Sequence, residues 1–276
     1  MPLPQTEGRV AVVTGAGSGI GRAMVVHFVE RGMAVAAADI DAAAVAETAA
    51  LAGGDVIAMG VDVADAAAVD ALADAAYGEW GAVHLLCNNA GVFQAGLSWQ
   101  RSLADWEWAL GVNLWGIIHG VKSFVPRMIE GGDDGHVVNT SSVAGFVAAP
   151  FSGPYNVSKV AAFSMSETLA HDLAAVGARL GASVLCPSSI RTGIAHTDKV
   201  RPGGPRDEGD DAAFVRESLF QITETGIDPA EVPPIVLAGI AAGDFLIATK
   251  PSYRDQLDTR FAALRDRQLP PTPTVD

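Results

Sequence analysis

The chain alternates short apolar runs with longer segments in which apolar residues recur at helical spacing. Such short runs are typical of buried strands, and the longer segments are typical of helices that pack on a sheet. The apolar runs cover residues 9–14, 33–39, 55–61, 83–88, 136–141 and 182–186. The main helical segments cover residues 22–31, 65–79, 103–130 and 154–176. Strands that alternate with helices in this way predict a parallel α/β sheet.

The pattern changes after the sixth apolar run. The segment from Gly193 to Asp211 is rich in glycine, proline and charge, and it predicts a substrate lid over residues 193–215. Further elements are predicted at 228–242 (helix), 245–248 (strand) and 253–267 (helix), followed by a loose tail at 268–276. Without an internal linker, residues 1–276 form a single Rossmann-like domain, doubly wound, with about seven strands and helices on both faces.

Composition and charge limit the classes of partner that this chain is expected to bind. Of 276 residues, 49% are hydrophobic and 18% charged, which suits one large globular domain. The net charge of −14, without a basic cluster, argues against nucleic acid and anionic membranes as partners. Neither an export signal nor a long uncharged span is recognisable, so a cytoplasmic location is expected. Cys87 and Cys186 end apolar runs and are predicted to be buried thiols, and no ligand spacing indicates a metal.

A glycine-rich turn joins the first strand to the first helix. Thr14 ends the strand, and Gly15, Gly19 and Gly21 follow before the helix begins. Strand, glycine turn and helix in this order are typical of a site that cradles a pyrophosphate at a helix N-terminus. The alternative is a turn that needs glycine only for packing.

Asp39 ends the second strand, 24 residues after Gly15. An acid near this separation bonds the ribose 2′-hydroxyl of a dinucleotide, and its charge repels a 2′-phosphate. Neither Ile40 nor Asp41 supplies a compensating arginine, so NAD is expected rather than NADP. Asp39 could also serve as the N-cap of a helix from Ala42 onward.

Polar residues follow the fourth strand and interrupt the long helix. Asn88, Asn89, Ala90 and Gly91 lie at the edge where a parallel sheet meets its ligand, although Asn89 could equally tie adjacent strands together. Asn113 lies on an otherwise apolar helix face, which favours a bend or a satisfied core amide.

Tyr155 and Lys159 lie one helical turn apart, on one face. A lysine ammonium near a phenol is expected to lower the pKa of the tyrosine and make it an acid or base near neutral pH. Ser142, thirteen residues earlier, ends the fifth strand, where it could approach the phenol. The alternative is a surface tyrosine with a solvated lysine.

Together these motifs resemble the short-chain dehydrogenase/reductases in their single-domain form. The resemblance spans about residues 8–250 and rests on the order of six motifs: the glycine turn from Thr14, Asp62-Val63, the Asn88–Gly91 run, Asn113, Ser142, and Tyr155 with Lys159. It implies that Tyr155 is the acid/base, that Lys159 lowers its pKa and bonds the nicotinamide ribose, and that Ser142 orients the carbonyl. Asn113 would hold a relay water, and Ser142 is favoured over Ser141.

The same resemblance implies which residues contact NAD. They are Thr14, Gly15, Ser18, Gly19, Ile20, Gly21, Asp39, Ile40, Asp62, Val63, Asn89, Ala90, Gly91, Tyr155, Lys159, Pro187, Ile190 and Thr192. One departure is Pro187-Ser188, where the family commonly has Pro-Gly, and it puts the local backbone path and pocket shape in doubt.

Substrate-pocket candidates are mostly apolar: Phe93, Val143, Ala144, Ala149, Phe151 and Ser188. They predict a secondary alcohol or ketone with bulky aryl or alicyclic substituents. The alternatives are a steroid or polyol dehydrogenase, a sugar-nucleotide epimerase, and a non-catalytic dinucleotide sensor. The intact Ser/Tyr/Lys set argues against the sensor, and the short C-terminal region argues against the epimerase. The apolar surface of the two long helices, 103–130 and 154–176, predicts a homodimer or homotetramer.

Overall fold

The computed structural model describes residues 6–204, 209–251 and 253–273. Within these residues, a parallel sheet of seven strands has the order β3-β2-β1-β4-β5-β6-β7. The strands are β1 Val10–Thr14, β2 Ala34–Asp39, β3 Val56–Gly60, β4 Leu85–Asn88, β5 Gly135–Thr140, β6 Leu180–Cys186 and β7 Leu246–Ala248. This arrangement confirms the doubly wound α/β fold class.

Helices cover both faces of the sheet. They are α1 Gly19–Glu30, α2 Ala42–Ala52, α3 Ala66–Trp80, α4 Leu103–Leu110, α5 Gly116–Gly131, α6 Gly153–Ala175, α7 Gly209–Glu224, α8 Val232–Ala242 and α9 Tyr253–Arg265. Side chains of β1 alternate between two cores because successive strand residues point to opposite faces. Ala11 and Val13 pack with α1 and α8, whereas Val10 and Val12 pack with α3, α5 and α6.

Two helical regions differ from the sequence prediction. The helix expected over 103–130 is divided into α4 and α5 by a π-helical turn, Gly111–Trp115. The segment expected to be an irregular lid, 193–215, contains a 3₁₀ helix, Gly193–Val200, and the first part of α7, residues 209–215. Helix α7 was not predicted. Its apolar residues border a cavity rather than the sheet, and polar residues interrupt their helical spacing. Residues 205–208 of the predicted lid lie outside the described residues.

The two halves of the sheet diverge between β1 and β4. The chain winds outward from β1 to β2 and β3 on one side, and from β4 to β5, β6 and β7 on the other. The loops that follow β1 and β4 therefore separate and leave a crevice at the carboxyl ends of the strands. Within the described residues, no helix combines the length and apolar character needed to cross a bilayer.

Candidate active site

A cavity of about 970 Å³ opens at this crevice. It is bordered by the loops after strands β1 to β6 and by α4 and α7. Of the residues predicted for catalysis, cofactor and substrate, all border it except Thr14 and Asn113, which lie behind its wall. The sequence-based list therefore names mostly residues that the fold brings to one place.

The glycine turn packs so closely against its own backbone and against the loop after β4 that two of its glycines could not carry a side chain. Gly15 has a φ of +67°, and a Cβ there would lie 2.8 Å from Ala90 Cα. A Cβ on Gly21 would lie 2.0 Å from the Gly15 carbonyl oxygen, so only glycine fits. The side chain of Ser18, at the N-cap of α1, makes no capping hydrogen bond. The amides at this helix end are thus suited to a pyrophosphate, and the cradle fits a dinucleotide.

Asp39 is fixed at the end of β2 by two backbone amides. Its Oδ2 accepts a hydrogen bond from the Gly17 amide at 2.8 Å, and its Oδ1 accepts one from Asp41 at 3.0 Å. The N-cap of α2 is Asp41 rather than Asp39, since the Asp41 carboxylate accepts from Ala43 and Ala44 at 3.0 Å. Asp39 is therefore not the helix cap, and its half-buried carboxylate borders the cavity.

Arg22 supports this loop, and the sequence analysis did not single it out. One guanidinium nitrogen donates to the Gly17 carbonyl at 2.5 Å, and Nε donates to Thr48 Oγ1 at 2.9 Å. The guanidinium is engaged by the protein itself and does not border the cavity.

Thr14 and Asn89 tie β1 to the loop after β4. The Thr14 hydroxyl oxygen accepts from the amides of Asn89 at 2.9 Å and Ala90 at 3.1 Å. Asn89 Nδ2 donates to the Thr14 carbonyl at 3.0 Å. Asn89 therefore joins adjacent strands and also borders the cavity, so the two alternatives for this residue are compatible. Thr14 is buried, and it acts on the cavity only through this loop.

Ser142, Tyr155 and Lys159 converge where β5 ends beside α6. Ser142 and Tyr155 both border the cavity, and the Ser142 hydroxyl also accepts from the Ala144 amide at 3.2 Å. Lys159 is 3% exposed, and its Nζ donates to the Thr140 carbonyl at 3.1 Å. The Ser141 hydroxyl points elsewhere and donates to the Lys159 carbonyl at 2.7 Å. Tyr155 is half-buried at the cavity wall and Lys159 is buried, so the alternative of a surface tyrosine with a solvated lysine is wrong.

The electrostatics of this trio differ from the sequence expectation. Burial raises the pKa of Tyr155 above its ordinary value, and the nearby Ser142 side chain opposes that rise only in part. Burial lowers the pKa of Lys159 to about 8. The expected lowering of the Tyr155 pKa is therefore wrong for the protein alone. The physical reason is that desolvation outweighs the ammonium, which lies 5.7 Å from the phenol ring centroid and bonds to a carbonyl instead.

Asn113 lies in the π-helical turn and is fully buried. Its Oδ1 accepts from the Val92 amide at 2.8 Å, and its Nδ2 donates to the Val92 carbonyl and to Ser158 Oγ, both at 2.9 Å. The side chain is thus a satisfied core amide that fixes the loop after β4. The π-helical turn, a feature often found at functional sites, aims it there. Its part in a water relay stays a prediction.

The substrate end of the cavity lies beyond Tyr155. The Phe93 ring meets the Tyr155 ring edge-on, with centroids 4.9 Å apart. The Pro187-Ser188 segment is fixed by two hydrogen bonds. The Ser188 amide donates to Thr249 Oγ1 at 3.0 Å, and the Pro187 carbonyl accepts from the Val143 amide at 3.1 Å. The departure at Pro187-Ser188 therefore leaves this segment at the cavity wall.

Several lining residues were missed from the sequence. They come from α4, α6, α7, the segment between β6 and α7, and the chain end: Ala104, Trp108, Asn156, Arg201, Phe214, Val215, Leu219, Ile222, Thr272 and Pro273. The spacing of Val215, Leu219 and Ile222 is helical and could have revealed α7. No local signal distinguishes the others. Thr272 and Pro273 belong to the tail predicted to be loose, whose last three residues lie outside the described ones.

The two cysteines are buried and free, as predicted. Burial raises the pKa of the Cys186 thiol to about 12 and raises that of Cys87 as well. Neither thiol is therefore reactive at neutral pH. Across the described part of the chain, no group of three or more His, Cys, Asp or Glu side chains is arranged to hold a metal ion.

Comparison with known proteins places this site in a family. A family model described as short chain dehydrogenase matches residues 9–201. The C alpha-dehydrogenase of Sphingobium sp. strain SYK-6 is 33% identical over 95% of this chain and 87% of its own. The 1-deoxy-11-beta-hydroxypentalenate dehydrogenase of Streptomyces exfoliatus is 32% identical over 95% of this chain and 91% of its own.

A solved structure agrees with the sequence comparisons. A short chain dehydrogenase/reductase from Burkholderia phymatum, crystallised in complex with NAD, superposes with a TM-score of 0.95. It is 39% identical, and the match covers 99% of each chain. These matches, together with the glycine cradle and the Ser/Tyr/Lys cluster in one cavity, show that the chain belongs to the short-chain dehydrogenase family of oxidoreductases.

Proposed function

We propose that this protein is an NAD-dependent oxidoreductase that interconverts a secondary alcohol and a ketone, with Tyr155 as general acid and base. The observation that carries the proposal is that Ser142, Tyr155 and Lys159 border the same cavity as the glycine turn and Asp39. A proton donor and a dinucleotide site in one cavity are what a carbonyl reduction requires.

The chain's own residues orient the substrate and move the proton. Bound at the glycine cradle and Asp39, with Lys159 near its nicotinamide ribose, NAD would supply the hydride acceptor, or NADH the donor. Ser142 donates a hydrogen bond to the substrate oxygen and holds it beside Tyr155. In reduction the Tyr155 hydroxyl gives its proton to the oxygen as the carbonyl carbon gains the hydride. In oxidation the phenolate takes the alcohol proton back.

Burial holds the pKa of Tyr155 above its ordinary value, so the phenol of the protein alone is protonated at neutral pH, as the proton donor in reduction must be. Oxidation requires the phenolate, which becomes more abundant as pH rises.

The walls favour a bulky, apolar substrate. Phe93, Phe151, Trp108, Val215 and Leu219 border the cavity and can pack against an aryl or alicyclic substituent. A polyol would need several polar partners at this end. The relative named C alpha-dehydrogenase and the one named 1-deoxy-11-beta-hydroxypentalenate dehydrogenase are consistent with a dehydrogenase reaction, and a steroid or polyol remains the alternative substrate.

NAD is proposed over NADP on the placement of Asp39. Its carboxylate is fixed by the Gly17 and Asp41 amides and faces the cavity, where a 2′-phosphate would meet a negative charge. Arg22, the neighbouring cation, is engaged by Gly17 and Thr48. The NAD complex of the Burkholderia phymatum relative supports the same choice.

Self-association is proposed through the two long helical segments. Trp115 is 52% exposed, and Val157 and Val160 are also exposed. Apolar side chains at these positions favour a homodimer or homotetramer. The molar mass in solution, measured by light scattering, tests this.

Turnover tests the proposal directly. Aryl, alicyclic and small ketones are each incubated with NADH or NADPH, and loss of absorbance of the reduced cofactor is followed. We expect reduction of bulky ketones with NADH. Binding of NADH without turnover of any ketone or alcohol would favour the non-catalytic sensor instead.

A further inference from the structure

A buried arginine joins the segment after β6 to the segment after β4. Arg201 is 5% exposed, and its guanidinium carbon lies 4.8 Å from the Trp108 ring centroid. One terminal nitrogen donates to Asp105 Oδ1 at 2.6 Å and to the Ala104 carbonyl at 3.0 Å, and the other donates to Gln94 Oε1 at 3.1 Å. A guanidinium stays charged in proteins, so these partners fix it in one orientation.

Asp105 is itself held in place. Its Oδ2 accepts from both the amide and the hydroxyl of Ser102 at 2.8 Å. Burial opposes its ionisation, but the hydrogen bonds from Arg201 and Ser102 keep the pKa of Asp105 below its ordinary value. The pair is therefore charged at neutral pH, and the planar guanidinium is locked against the first turn of α4.

The joined segments touch the reacting group. Thr197 Oγ1 accepts from the Phe93 amide at 2.9 Å, and the Phe93 ring meets Tyr155. Gln94, the residue after Phe93, is the one that Arg201 holds. Arg201 and Trp108 both border the cavity. Movement of Arg201 would thus displace Trp108 and the segment of Gln94, which form part of the substrate wall.

We propose that Arg201 is a positioning residue that sets the substrate wall. It holds Trp108 and the Phe93 segment where a bulky substituent of the substrate packs, and it takes no part in proton or hydride transfer. Only 2% of its side chain is exposed, so a substrate carboxylate has little access to it. The inference deepens the proposed function and rests on it for the identity of the substrate class.

The test compares a bulky with a small alcohol. Wild type, Arg201→Met and Arg201→Lys are assayed with NAD on naphthyl methyl carbinol and on isopropanol. We expect kcat/KM for the naphthyl alcohol to fall by about tenfold or more in both variants, mainly through KM. For isopropanol kcat/KM and the Kd of NADH should change less than about twofold. Lysine should not rescue, since one ammonium cannot span Gln94 and Asp105.

Arg179→Met is the matched control. Arg179 also makes a two-point ion pair, with Asp134 at 3.0 Å for each bond, but it is exposed and does not border the cavity. This variant should leave both alcohols unaffected. Equal losses on the two alcohols in Arg201→Met, or none on the naphthyl alcohol, would overturn the proposal.

A second readout keeps the two proposals distinguishable. Hydrogen exchange should rise in peptides covering 93–108 and 193–201 in Arg201→Met, with β1 and β2 unchanged. If wild type oxidised neither alcohol and reduced no ketone, the proposed function would be wrong. The hydrogen-exchange comparison would still test the positioning role of Arg201, because it does not depend on turnover. Unchanged exchange in both segments would reject that role.

Discussion

The Ser141 hydroxyl donates to the Lys159 carbonyl at 2.7 Å, which ties the end of β5 to the second turn of α6. The two adjacent serines therefore have different roles. Ser141 holds the two elements together, and Ser142 borders the cavity together with Tyr155. The alternation of side chains along extended backbone, which sends neighbours in opposite directions, produces this division.

Exchanging each serine for alanine should separate the two roles. Ser142→Ala should lower kcat by about 10²-fold, since a hydrogen-bond donor to the reacting oxygen is lost, with little change in Tm. Ser141→Ala should cost about 1 kcal/mol of unfolding free energy and much less activity. Kinetics and thermal unfolding of both variants provide the check. Equal activity losses would contradict the assignment of Ser142.

The glycine cradle makes a steric prediction. In Gly21→Ala the new methyl group would lie 2.0 Å from the Gly15 carbonyl oxygen, so the backbone must shift and NADH should bind about tenfold more weakly or worse. Gly78→Ala is the control: the site, in the exposed face of α3, has no heavy atom within 4 Å of the added Cβ. It should gain up to about 1 kcal/mol of stability. NADH fluorescence titration measures the difference, and an unchanged Kd in Gly21→Ala would refute the cradle.

Cofactor choice is tested at Asp39 with the charge removed and the shape kept. Asp39→Asn retains an acceptor for the Gly17 amide, which Asp39→Ala does not. We expect the ratio of kcat/KM for NAD over NADP to fall by about tenfold in both variants, because the repulsion of a 2′-phosphate is gone. If that ratio stays constant, Asp39 is not the discriminating residue.

The buried lysine makes a prediction about pH and stability. The pKa of Lys159 is about 8 in the folded protein, against 10.5 for the unperturbed group. Between these values the unfolded chain binds more protons, so stability from this residue rises with pH. The free energy of unfolding of Lys159→Met should therefore exceed that of wild type at pH 7. This difference in stability should shrink by on the order of 3 kcal/mol as pH approaches 10.5.

Denaturant unfolding of both proteins over this pH range provides the measurement. Parallel stability curves for wild type and Lys159→Met would mean that Lys159 keeps an ordinary pKa in the folded state. The activity of the variant should be lost at every pH, since a methionine cannot bond the cofactor ribose.

The strand–helix alternation was sufficient to predict the sheet and the edge at which the site lies. Local patterns carry that information because β1 and β2 are buried on both faces and read as continuous apolar runs. Short motifs also located the glycine turn, Asp39 and the Ser142, Tyr155 and Lys159 cluster, since each depends on spacing within one or two elements.

What escaped prediction depends on contacts between distant segments. Arg201 lies about 100 residues from its partners Gln94 and Asp105, and no local pattern joins them. The direction of the Tyr155 pKa was wrong because it depends on how deeply α6 is buried rather than on the position of Lys159 alone. Helix α7 was missed because its apolar side chains face a cavity.

The most direct test of the account is removal of one oxygen atom, in Tyr155→Phe. The variant should keep the Tm of wild type and bind NADH with a Kd within about twofold, because the bond from Ser158 Oγ to the Tyr155 backbone carbonyl, at 2.7 Å, does not involve the phenol oxygen. Its kcat for ketone reduction should fall by about 10²- to 10⁴-fold, the contribution of a general acid. Undiminished turnover by a folded, NADH-binding Tyr155→Phe protein would contradict the mechanism.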